Sequence, residues 1–325
     1  MVCGSSTPAP GQCPVVSVVI VTRNTCALTC AAIRSVEESQ GAPSSEVIVV
    51  DNGSTDDTPQ ALPRALPAAI YLRSATNLGY ARACNLGVEK ARGEFVLLLN
   101  SDARLKPDAL ATATAWMREH ADCGVAGAQL LNSDGSKQNS IANLPTLATE
   151  LLNKSLLRRL FPRRYPGKEQ SFSAPVEVES VVGAFFLVRA TLWRALQGLD
   201  ERFFFFLEET DFCFRTRAQG LKVYHLPQAE VWHEQGQSAQ QMPAGARIEY
   251  WRSRYAYFQK NCSRLTCAIL GAGLRIRLGF DWLGSGLLLL ASLGKSSRWR
   301  AKHDVATALW DWHLRRCPIE MGLPR

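Results

Sequence analysis

The sequence lacks the glycine-rich phosphate loops of two large nucleotide-binding classes. No Gly-x-Gly-x-x-Gly follows the first apolar segment, and no Gly-x-x-x-x-Gly-Lys occurs in the 325 residues. These absences exclude the dinucleotide-binding fingerprint and the Walker A loop. If the chain binds a nucleotide, it does so with other residues.

The ten cysteines form no recognisable framework. Cys26 and Cys30 are four residues apart, as on one helix face, and Cys262 and Cys267 have no zinc-like spacing to a pair of histidines. We therefore expect most cysteines to be small core residues in a reducing compartment.

Long uncharged apolar runs are also missing. The apolar segment 268–294 is interrupted by Arg275, Arg277 and Asp281, and its uncharged part, 282–294, has only 13 residues. That length is too short to span a bilayer. The first 14 residues are rich in Ser, Pro and Gly and lack a signal-peptide pattern, so we predict a flexible tail over 1–14.

Net positive charge is absent from most of the chain and concentrated at one end. Residues 243–325 contain 14 Lys and Arg against five Asp and Glu, whereas residues 1–242 contain 23 against 24. Such a basic segment usually meets nucleic acid or an anionic membrane surface. We predict a helical, basic and apolar C-terminal region over 243–325.

Apolar, β-branched segments alternate with helical ones in residues 15–242. Predicted strands cover 15–22, 46–50, 69–72, 95–99, 181–188 and 221–226, and predicted helices cover 27–38, 77–92 and 107–120. This alternation is typical of βαβ units, so we predict an α/β domain with a mostly parallel sheet flanked by helices.

Polar side chains follow two of these strands. Asp51, Asn100 and Asp102 lie just past strand ends, where open α/β sheets bind ligands. Asp51 is placed to bind nucleoside hydroxyls or a base N–H, and the Asn100–Asp102 motif suits a divalent ion completed by phosphates. Each of these polar residues alone is also explained by an ordinary turn. Several of them at the ends of neighbouring strands, however, favour a single pocket.

An acidic cluster follows four consecutive phenylalanines, Phe203 to Phe206. Glu208, Glu209 and Asp211 come next, and burial beside aromatic rings raises the pKa of a carboxylate. This pattern suits a general base. The alternative is a plain helix start, since acidic residues favour the first turn.

Several motifs, in order, resemble those of glycosyltransferase family 2. They are Val-Ser-Val-Val-Ile-Val-Thr-Arg-Asn at 16–24, Asp-Asn-Gly-Ser-Thr-Asp at 51–56, Asn-Leu-Gly-Tyr-Ala-Arg-Ala-Cys-Asn-Leu-Gly at 77–87, Leu-Leu-Leu-Asn-Ser-Asp at 97–102, Gly-Ala-Phe-Phe at 183–186 and Glu-Glu-Thr-Asp at 208–211. The resemblance covers residues 15–260 and is greatest to the rhamnosyltransferase branch that builds bacterial surface polysaccharides.

The resemblance implies a GT-A, Rossmann-like fold and inversion at the anomeric carbon. It also implies a nucleotide-diphosphate-sugar donor, Mg²⁺ or Mn²⁺, and a saccharide or polyprenyl-linked saccharide acceptor. By the resemblance, Thr22, Asn24, Asp51 and Asp56 lie on the nucleoside side, Asn77, Gly79 and Asn85 beside the diphosphate, and Asn100, Asp102 and His233 near the metal. Glu209 matches the catalytic base, with Glu208 beside it. Asp211 remains a rival, because Glu209 is one methylene longer than the family's Asp.

Two segments have no place in these motifs. Residues 144–166 have an amphipathic helical spacing, which fits a mobile acceptor flap, a membrane-surface helix or a helix packed on the sheet. The 243–325 region fits a peripheral membrane appendage or a helix packed on the catalytic domain. We expect a cytoplasmic protein at the inner face of the plasma membrane, with no nucleic-acid partner.

Two other function classes stay open on the residues alone. A nucleotidyltransferase that makes an activated sugar would need a basic, glycine-rich loop after the first strand, and 23–26 is a poor one. A non-catalytic nucleic-acid or membrane-binding module would leave the acids at the strand ends unexplained.

Overall fold

Contacts divide the chain into two compact units. The computed structural model describes residues 13–162, 164–165, 172–234 and 242–325. One unit comprises Met1–Leu144, Pro166–Phe204 and Glu208–Gln235, and the other comprises Pro145–Tyr165, Phe205–Leu207 and Gly236–Arg325. Residues 145–165 and 205–207 thus group with the C-terminal helices, unlike the predicted division at 242. Residues 1–12 of the predicted tail lie outside the described residues.

The first unit is built on a mixed β-sheet. The strands of the protein are β1 (Val16–Thr22), β2 (Ser45–Asn52), β3 (Ile70–Ser74), β4 (Phe95–Leu99), β5 (Ala103–Leu105), β6 (Cys123–Leu131), β7 (Ile141–Ala142), β8 (Val176–Val178), β9 (Ser180–Val181), β10 (Phe185–Arg189) and β11 (Lys222–His233). The main strands of the sheet run in the order β3-β2-β1-β4-β10-β6-β11-β5, with β8 pairing against β11. Pairs β1–β2, β1–β4, β2–β3 and β6–β11 are parallel, whereas β10 and β5 run antiparallel to their neighbours.

Helices cover both faces of this sheet. Alternate residues of β1 enter different apolar clusters, with Val18 and Ile20 in one and Val19 in the other. The first cluster includes residues of α1, α2 and α4, and the second includes residues of α3, α7 and α8. The helices of this unit are α1 (Cys26–Glu37), α2 (Thr58–Ala65), α3 (Tyr80–Val88), α4 (Ala109–Glu119), α7 (Ala190–Ala195) and α8 (Glu208–Ala218). A strand covered on both faces needs no polar side, which explains the continuous apolar runs.

Strand β11 contains a large bulge. Leu226 pairs with Ala128 and Glu230 pairs with Gln129, so three residues of β11 stand between partners that are adjacent on β6. After the bulge, β11 also pairs with β5, which aligns His233 with Ala103. The short strand that the sequence predicts at 221–226 is therefore the first part of one irregular strand that continues to His233.

The second unit is helical. It consists of α5 (Leu147–Leu151), α6 (Lys154–Leu160), α9 (Pro243–Asn261), α10 (Arg264–Ala291) and α11 (Ser297–Leu314). The amphipathic segment predicted over 144–166 is two short helices, because Leu152 is extended and Asn153 caps α6 by accepting from the amides of Ser155 and Leu156. Its residues 163 and 166 lie outside the described residues. Within the described ranges, no helix combines the length and apolar character needed to cross a bilayer.

Candidate active site

Asp51 lies at the carboxyl end of β2 and is fully buried. Its Oδ1 accepts a hydrogen bond from the amide of Ser54 at 2.8 Å, and its Oδ2 accepts one from the hydroxyl of Tyr71 at 2.6 Å. The Nε atom of Arg73 is 3.9 Å from Oδ2. Burial, and then the hydrogen bond to Asp51, raise the pKa of Tyr71, so its hydroxyl stays protonated. Both carboxylate oxygens therefore already have a donor.

Asn24 and Asp56 lie in loops beside Asp51. Asn24 has a left-handed backbone with φ of 56°, its N–H donates to Ser54 Oγ at 3.0 Å, and its Oδ1 accepts from the amide of Thr55 at 2.8 Å. Asp56 is exposed, and its Oδ1 accepts from the amide of Thr58. These bonds tie the loop after β1 to the loop after β2.

The hydroxyl of Thr22 is used inside the fold. Thr22 is aligned with Asp51 in the sheet and is fully buried. Its Oγ1 is 3.0 Å from that of Thr25 and 2.8 Å from that of Thr29 on α1. Thr22 therefore joins β1 to α1, although the resemblance places it on the nucleoside side.

Asn52, which sequence reasoning did not single out, holds the loop before α3. Its Nδ2 donates to Asn77 Oδ1 at 2.9 Å and to the carbonyl of Gly79 at 3.2 Å, and its Oδ1 accepts from the amide of Leu78 at 2.7 Å. Asn77 Oδ1 also accepts from the amide of Gly79. The 77–79 loop is thus fixed to the end of β2.

Two glycines allow this loop to pack closely. Gly53 has φ of 76°, and a Cβ there would lie 2.6 Å from the carbonyl carbon of Thr76. Gly79 has φ of 84°, and a Cβ there would lie 2.6 Å from Phe204. Both positions need a left-handed backbone and close approach, which only glycine supplies without strain.

Asn85 lies on α3 and is fully engaged by the chain near 199. Its Nδ2 donates to the carbonyl of Leu199 at 2.9 Å and to Glu201 Oε1, and its Oδ1 accepts from the amide of Leu199 at 2.9 Å. Asn85, which the resemblance places beside the diphosphate, therefore connects α3 to the chain near residue 199 in this structure.

Asn100 and Tyr80 lie together at the end of β4. The hydroxyl of Tyr80 donates to Asn100 Oδ1 at 3.1 Å, and Asn100 Nδ2 is 3.4 Å from His233 Nε2. The sequence predicts an amide oxygen available to a metal at this position. In the structure that oxygen faces Tyr80, and the amide nitrogen faces His233.

Asp102 and His233 are brought together by β5 and β11. Oδ1 of Asp102 is 3.4 Å from Nε2 of His233, and both side chains are about nine-tenths buried. The other ring nitrogen of His233, Nδ1, is 3.1 Å from Oε1 of Gln138. His233, which lies 131 positions after Asp102 in the sequence, thus completes this corner of the site.

The donor set here fits a divalent ion that is also held by a substrate. Among the described residues, no three His, Cys, Asp or Glu side chains gather as metal ligands. One carboxylate and one imidazole leave several positions for water and phosphate oxygens, as Mg²⁺ sites in nucleotide enzymes do. Asp102 and His233 are the two side chains suited to that role.

The three carboxylates at the start of α8 differ in exposure. Asp211 is fully buried and Glu208 is 3% exposed, whereas Glu209 is partly exposed and lies against Gly183, where an added Cβ would be 3.4 Å from its Oε1. Within the described structure, Oε2 of Glu208 and Oε2 of Glu209 have no hydrogen-bond partner. Asp211 is paired with Arg215 at 2.8 Å.

Burial raises the pKa of both glutamates. For Glu208 the nearby Glu209 adds to the rise. For Glu209, hydrogen bonds from its own amide and that of Gly183 offset part of it. A carboxylate with a raised pKa holds a proton more readily near neutral pH, as a general base should.

The backbone that leads into α8 is strained. Phe206 and Leu207 have φ of 74° and 67°, in the left-handed region that L-residues rarely adopt. Such conformations persist only where the surrounding structure enforces them and are common at functional sites.

Residues 17–195 match the sequence model of glycosyl transferase family 2. The chain belongs to this family. It is 30% identical over 275 residues to the N-acetylglucosaminyl-diphospho-decaprenol L-rhamnosyltransferase of Mycobacterium tuberculosis, an alignment that covers 79% of this chain and 87% of the relative. The protein is therefore a glycosyltransferase, which rejects the nucleotidyltransferase and the non-catalytic binding module.

Solved structures confirm the predicted GT-A fold. The mannosyltransferase PcManGT of Pyrobaculum calidifontis, solved with GDP-Man and Mn²⁺, has a TM-score of 0.56 at 17% identity and covers 95% of this chain and 88% of its own. Residues 1–349 of S. aureus TarS have a TM-score of 0.51 at 19% identity, covering 88% and 77%. The glycosyltransferase therefore combines this fold with a helical C-terminal region.

Proposed function

We propose that this glycosyltransferase inverts the anomeric carbon of a nucleotide-diphosphate sugar and that Glu209 is its general base. The proposal rests on the differences in exposure and in hydrogen bonding among three neighbouring carboxylates. Glu209 is partly exposed with an unpartnered oxygen, Glu208 is buried, and Asp211 is held by Arg215. Of the three, only Glu209 is not fully buried, and its Oε2, although itself enclosed, has no hydrogen-bond partner among the described groups.

In the proposed step, Glu209 takes the proton of an acceptor hydroxyl. The hydroxyl oxygen forms a bond to the anomeric carbon from the face opposite the diphosphate. The bond between that carbon and the diphosphate oxygen breaks, and its electron pair leaves with the nucleoside diphosphate. Because Glu209 has a raised pKa, it is closer to the neutral range in which a carboxylate base works best.

The donor is proposed to lie along the loops that follow β1, β2 and β3. Asn24 and Asp56 are at the surface of these loops, and Asp51 is held beneath them with Arg73 alongside. Since Asp51 already has two donors, we expect it to orient the loop as much as the nucleoside. The 77–79 loop, held by Asn52, then borders the diphosphate.

Asp102 and His233 are proposed to hold a divalent ion, Mg²⁺ or Mn²⁺. When bound, such an ion neutralises charge on a leaving diphosphate. Among described groups, the carboxylate of Asp102 and the ring nitrogen of His233 are 3.4 Å apart and face each other. Tyr80 keeps the oxygen of Asn100 turned away from them.

Rhamnose is the proposed sugar, and a lipid-linked saccharide in cell-surface glycan synthesis is the proposed acceptor. The support is the relative from M. tuberculosis, whose name specifies L-rhamnosyl transfer to N-acetylglucosaminyl-diphospho-decaprenol. The alignment covers 79% of this chain and 87% of the relative.

An anionic membrane surface is the proposed partner of the second unit. Helix α10 has exposed apolar residues at helical spacing, namely Ile269, Ile276, Phe280, Leu283, Leu287 and Leu290. A groove of about 770 Å³ in the same unit is lined by five cationic side chains, Lys154, Arg247, Arg254, Arg277 and Lys302, and by two acidic ones, Glu150 and Asp281. An apolar helix face beside cationic side chains is the pattern of a helix lying in the membrane interface. We propose peripheral binding at the inner face of the plasma membrane.

A donor panel tests this proposal directly. The protein is incubated with Mn²⁺, a polyprenyl-diphosphate-linked N-acetylglucosamine acceptor and one of several nucleotide-diphosphate sugars, including rhamnose donors. We expect acceptor-dependent release of nucleoside diphosphate with a rhamnose donor, and a product whose anomeric configuration, read by NMR, is opposite to that of the donor. A retained configuration would refute inversion, and release with only a different sugar would refute rhamnose.

A further inference from the structure

We propose that Gln138 is a positioning residue that fixes the tautomer of His233, so that Nε2 presents its lone pair towards Asp102. The inference rests on the proposed function in one respect, since it takes His233 as a ligand of the divalent ion. Gln138 was not singled out by any motif. The argument depends on which end of its side-chain amide faces the imidazole.

The orientation of the Gln138 amide is fixed by its neighbours. Gln138 is 5% exposed, and its Nε2 donates to the carbonyl of His233 at 2.5 Å, to Asn132 Oδ1 at 2.8 Å and to the carbonyl of Leu131 at 3.3 Å. The two backbone carbonyls can only accept, so an amide oxygen in this place would face those oxygens without a hydrogen between them. The amide nitrogen must therefore face them, which leaves Oε1 for the imidazole.

This orientation determines the protonation of the ring. Oε1 of Gln138 is 3.1 Å from His233 Nδ1, and an amide oxygen can only accept. Nδ1 must therefore carry the hydrogen. In the neutral imidazole, Nε2 then has the lone pair, which is the form that binds a metal through Nε2. In the imidazolium, Nδ1 keeps the same hydrogen bond, so Gln138 favours one orientation of the ring in either form.

The environment of Nε2 agrees with this assignment. The N–H of Asn100 is directed at Nε2 from 3.4 Å, because the hydroxyl of Tyr80 holds the other end of that amide. The carboxylate of Asp102 is on another side, also at 3.4 Å. A lone pair and a carboxylate oxygen at that distance repel each other unless Nε2 is protonated or a cation lies near both atoms, and a divalent ion would supply that cation.

The backbone of Gln138 is held by hydrogen bonds at both its N–H and its carbonyl. Its backbone N–H donates to the carbonyl of Leu130 at 2.8 Å, and its carbonyl accepts from Gln129 Nε2 at 3.1 Å. It follows the turn at Asn132–Gly135 and is joined to β6 on one side and to β11 through His233. Outer partners of metal-binding histidines typically contribute 10- to 100-fold, roughly, to metal affinity.

The test compares Gln138→Leu with Gln129→Leu. Gln129 is a matched control, because it is 6% exposed, lies on the adjacent strand and donates to Leu130, Gln138 and Ser140, with no contact to the His233 ring described. The full-length chain is labelled at the imidazole nitrogens, and the His233 signal is assigned with His233→Asn among the five histidines. Two quantities are measured, the tautomer by NMR of metal-free protein and the dissociation constant for Mn²⁺ alone by electron paramagnetic resonance.

We expect wild-type His233 to carry its hydrogen on Nδ1. Gln138→Leu should shift the ring towards the Nε2-protonated form and weaken Mn²⁺ binding by about 10-fold or more. At Gln138, Gln129→Leu removes only a bond to the backbone carbonyl, so it should leave the tautomer unchanged and weaken Mn²⁺ binding less. Gln138→Glu, which keeps an acceptor for Nδ1, should retain the wild-type tautomer even if it lowers the unfolding midpoint.

Two results would overturn the positioning role. One is a wild-type ring protonated only at Nε2, and the other is a folded Gln138→Leu protein with wild-type imidazole shifts. If the tautomer changes as expected while no sugar is transferred from any donor, the proposed function fails and the positioning role stands.

Discussion

Asp211 and Arg215 form an ion pair one turn apart on α8, with Oδ2 of the aspartate 2.8 Å from Nε of the arginine. Arg215 also donates to the carbonyls of Leu196 at 2.7 Å and Gly198 at 2.9 Å. The pair therefore joins the helix to the preceding loop. This structural role separates Asp211 from Glu209, which has no cationic partner among the described residues.

Removal of Asp211 should mainly destabilise the protein. We expect Asp211→Ala to lower the free energy of unfolding by about 3–5 kcal/mol, because it leaves the largely buried Arg215 without its counter-ion. Asp311→Ala is the matched control, since Asp311 and Arg315 have the same spacing and the same 2.8 Å distance but are exposed. Its cost should be about 0.3–0.5 kcal/mol. Equal denaturant midpoints for the two variants would contradict the structural role of Asp211.

Glu209→Gln should remove catalysis and leave the fold and donor binding intact. The amide keeps the shape of the side chain but cannot accept the acceptor proton, so turnover should fall by about 10²- to 10⁴-fold. Single-turnover rates and donor titrations measure the two effects separately. If this variant turns over normally while folded Asp211→Asn is inactive and still binds donor, then Asp211 is the base.

Glu208→Gln should stabilise the protein at high pH. The pKa of Glu208 is raised above its ordinary value of 4.5, so the folded state holds a proton that the unfolded state has lost. Folding stability from this group is complete below pH 4.5 and is lost as pH rises through the folded pKa. We expect wild type and variant to have similar melting temperatures near pH 4 and the variant to melt higher near pH 8. If the melting temperatures of wild type and variant differed by the same amount at every pH, Glu208 would not be buried as described.

Gly79→Ala should weaken donor binding as well as stability. A Cβ at Gly79 would lie 2.6 Å from Phe204 in addition to the strain of φ at 84°. Gly135→Ala is the control, because Gly135 has φ of 80° with no atom within 4 Å of an added Cβ. The control should lose only the strain of about 1–2 kcal/mol. Thermal melts should show a larger loss of stability for Gly79→Ala than for Gly135→Ala, and donor titration should show a larger loss of donor affinity.

The exposed face of α10 should be required for binding to anionic vesicles. Leu283→Ser, Leu287→Ser and Leu290→Ser should each weaken binding by about tenfold, because a buried leucine contributes about 1.5–3 kcal/mol. Leu314→Ser is the control, since Leu314 is 78% exposed but lies on α11. Sedimentation with vesicles, at low and high salt, measures this. Wild-type binding by a triple Leu→Ser variant would exclude α10 as the contact.

The central strands could be predicted because their signal is local. Continuous β-branched runs indicate strands covered on both faces, and β1, β2 and β4 are confirmed as such. Strand β6 was not predicted, although every residue of it is buried. Its glycines disfavour a strand locally, yet a Cβ at Gly127 would lie 2.5 Å from Val181. That requirement comes from a residue 54 positions away and is not visible in the segment itself.

The site residues also divide into those with a local sequence signal and those whose contacts are distant in the sequence. Asp51 and Asp102 follow strands, so the sequence alone suggested them. Gln138 contacts His233 across 95 residues, and Asn85 bonds to Leu199 across 114 residues. Amide side chains carry no local signal for such long-range partners. Gln138 follows the turn at Asn132–Gly135, and its place there does not indicate which ring it contacts.

The bulge in β11 gives this part of the protein room to change in length. The extra residues of a bulge are unpaired, so their number can change without a shift in the ladder on either side. Residues 227–229 stand between partners that are adjacent on β6, whereas residues 230–232 are paired with residues 129–131 and His233 follows them. Insertions and deletions at 227–229 should therefore be tolerated, whereas the loss or gain of one residue at 230–232 would reverse the side on which His233 lies.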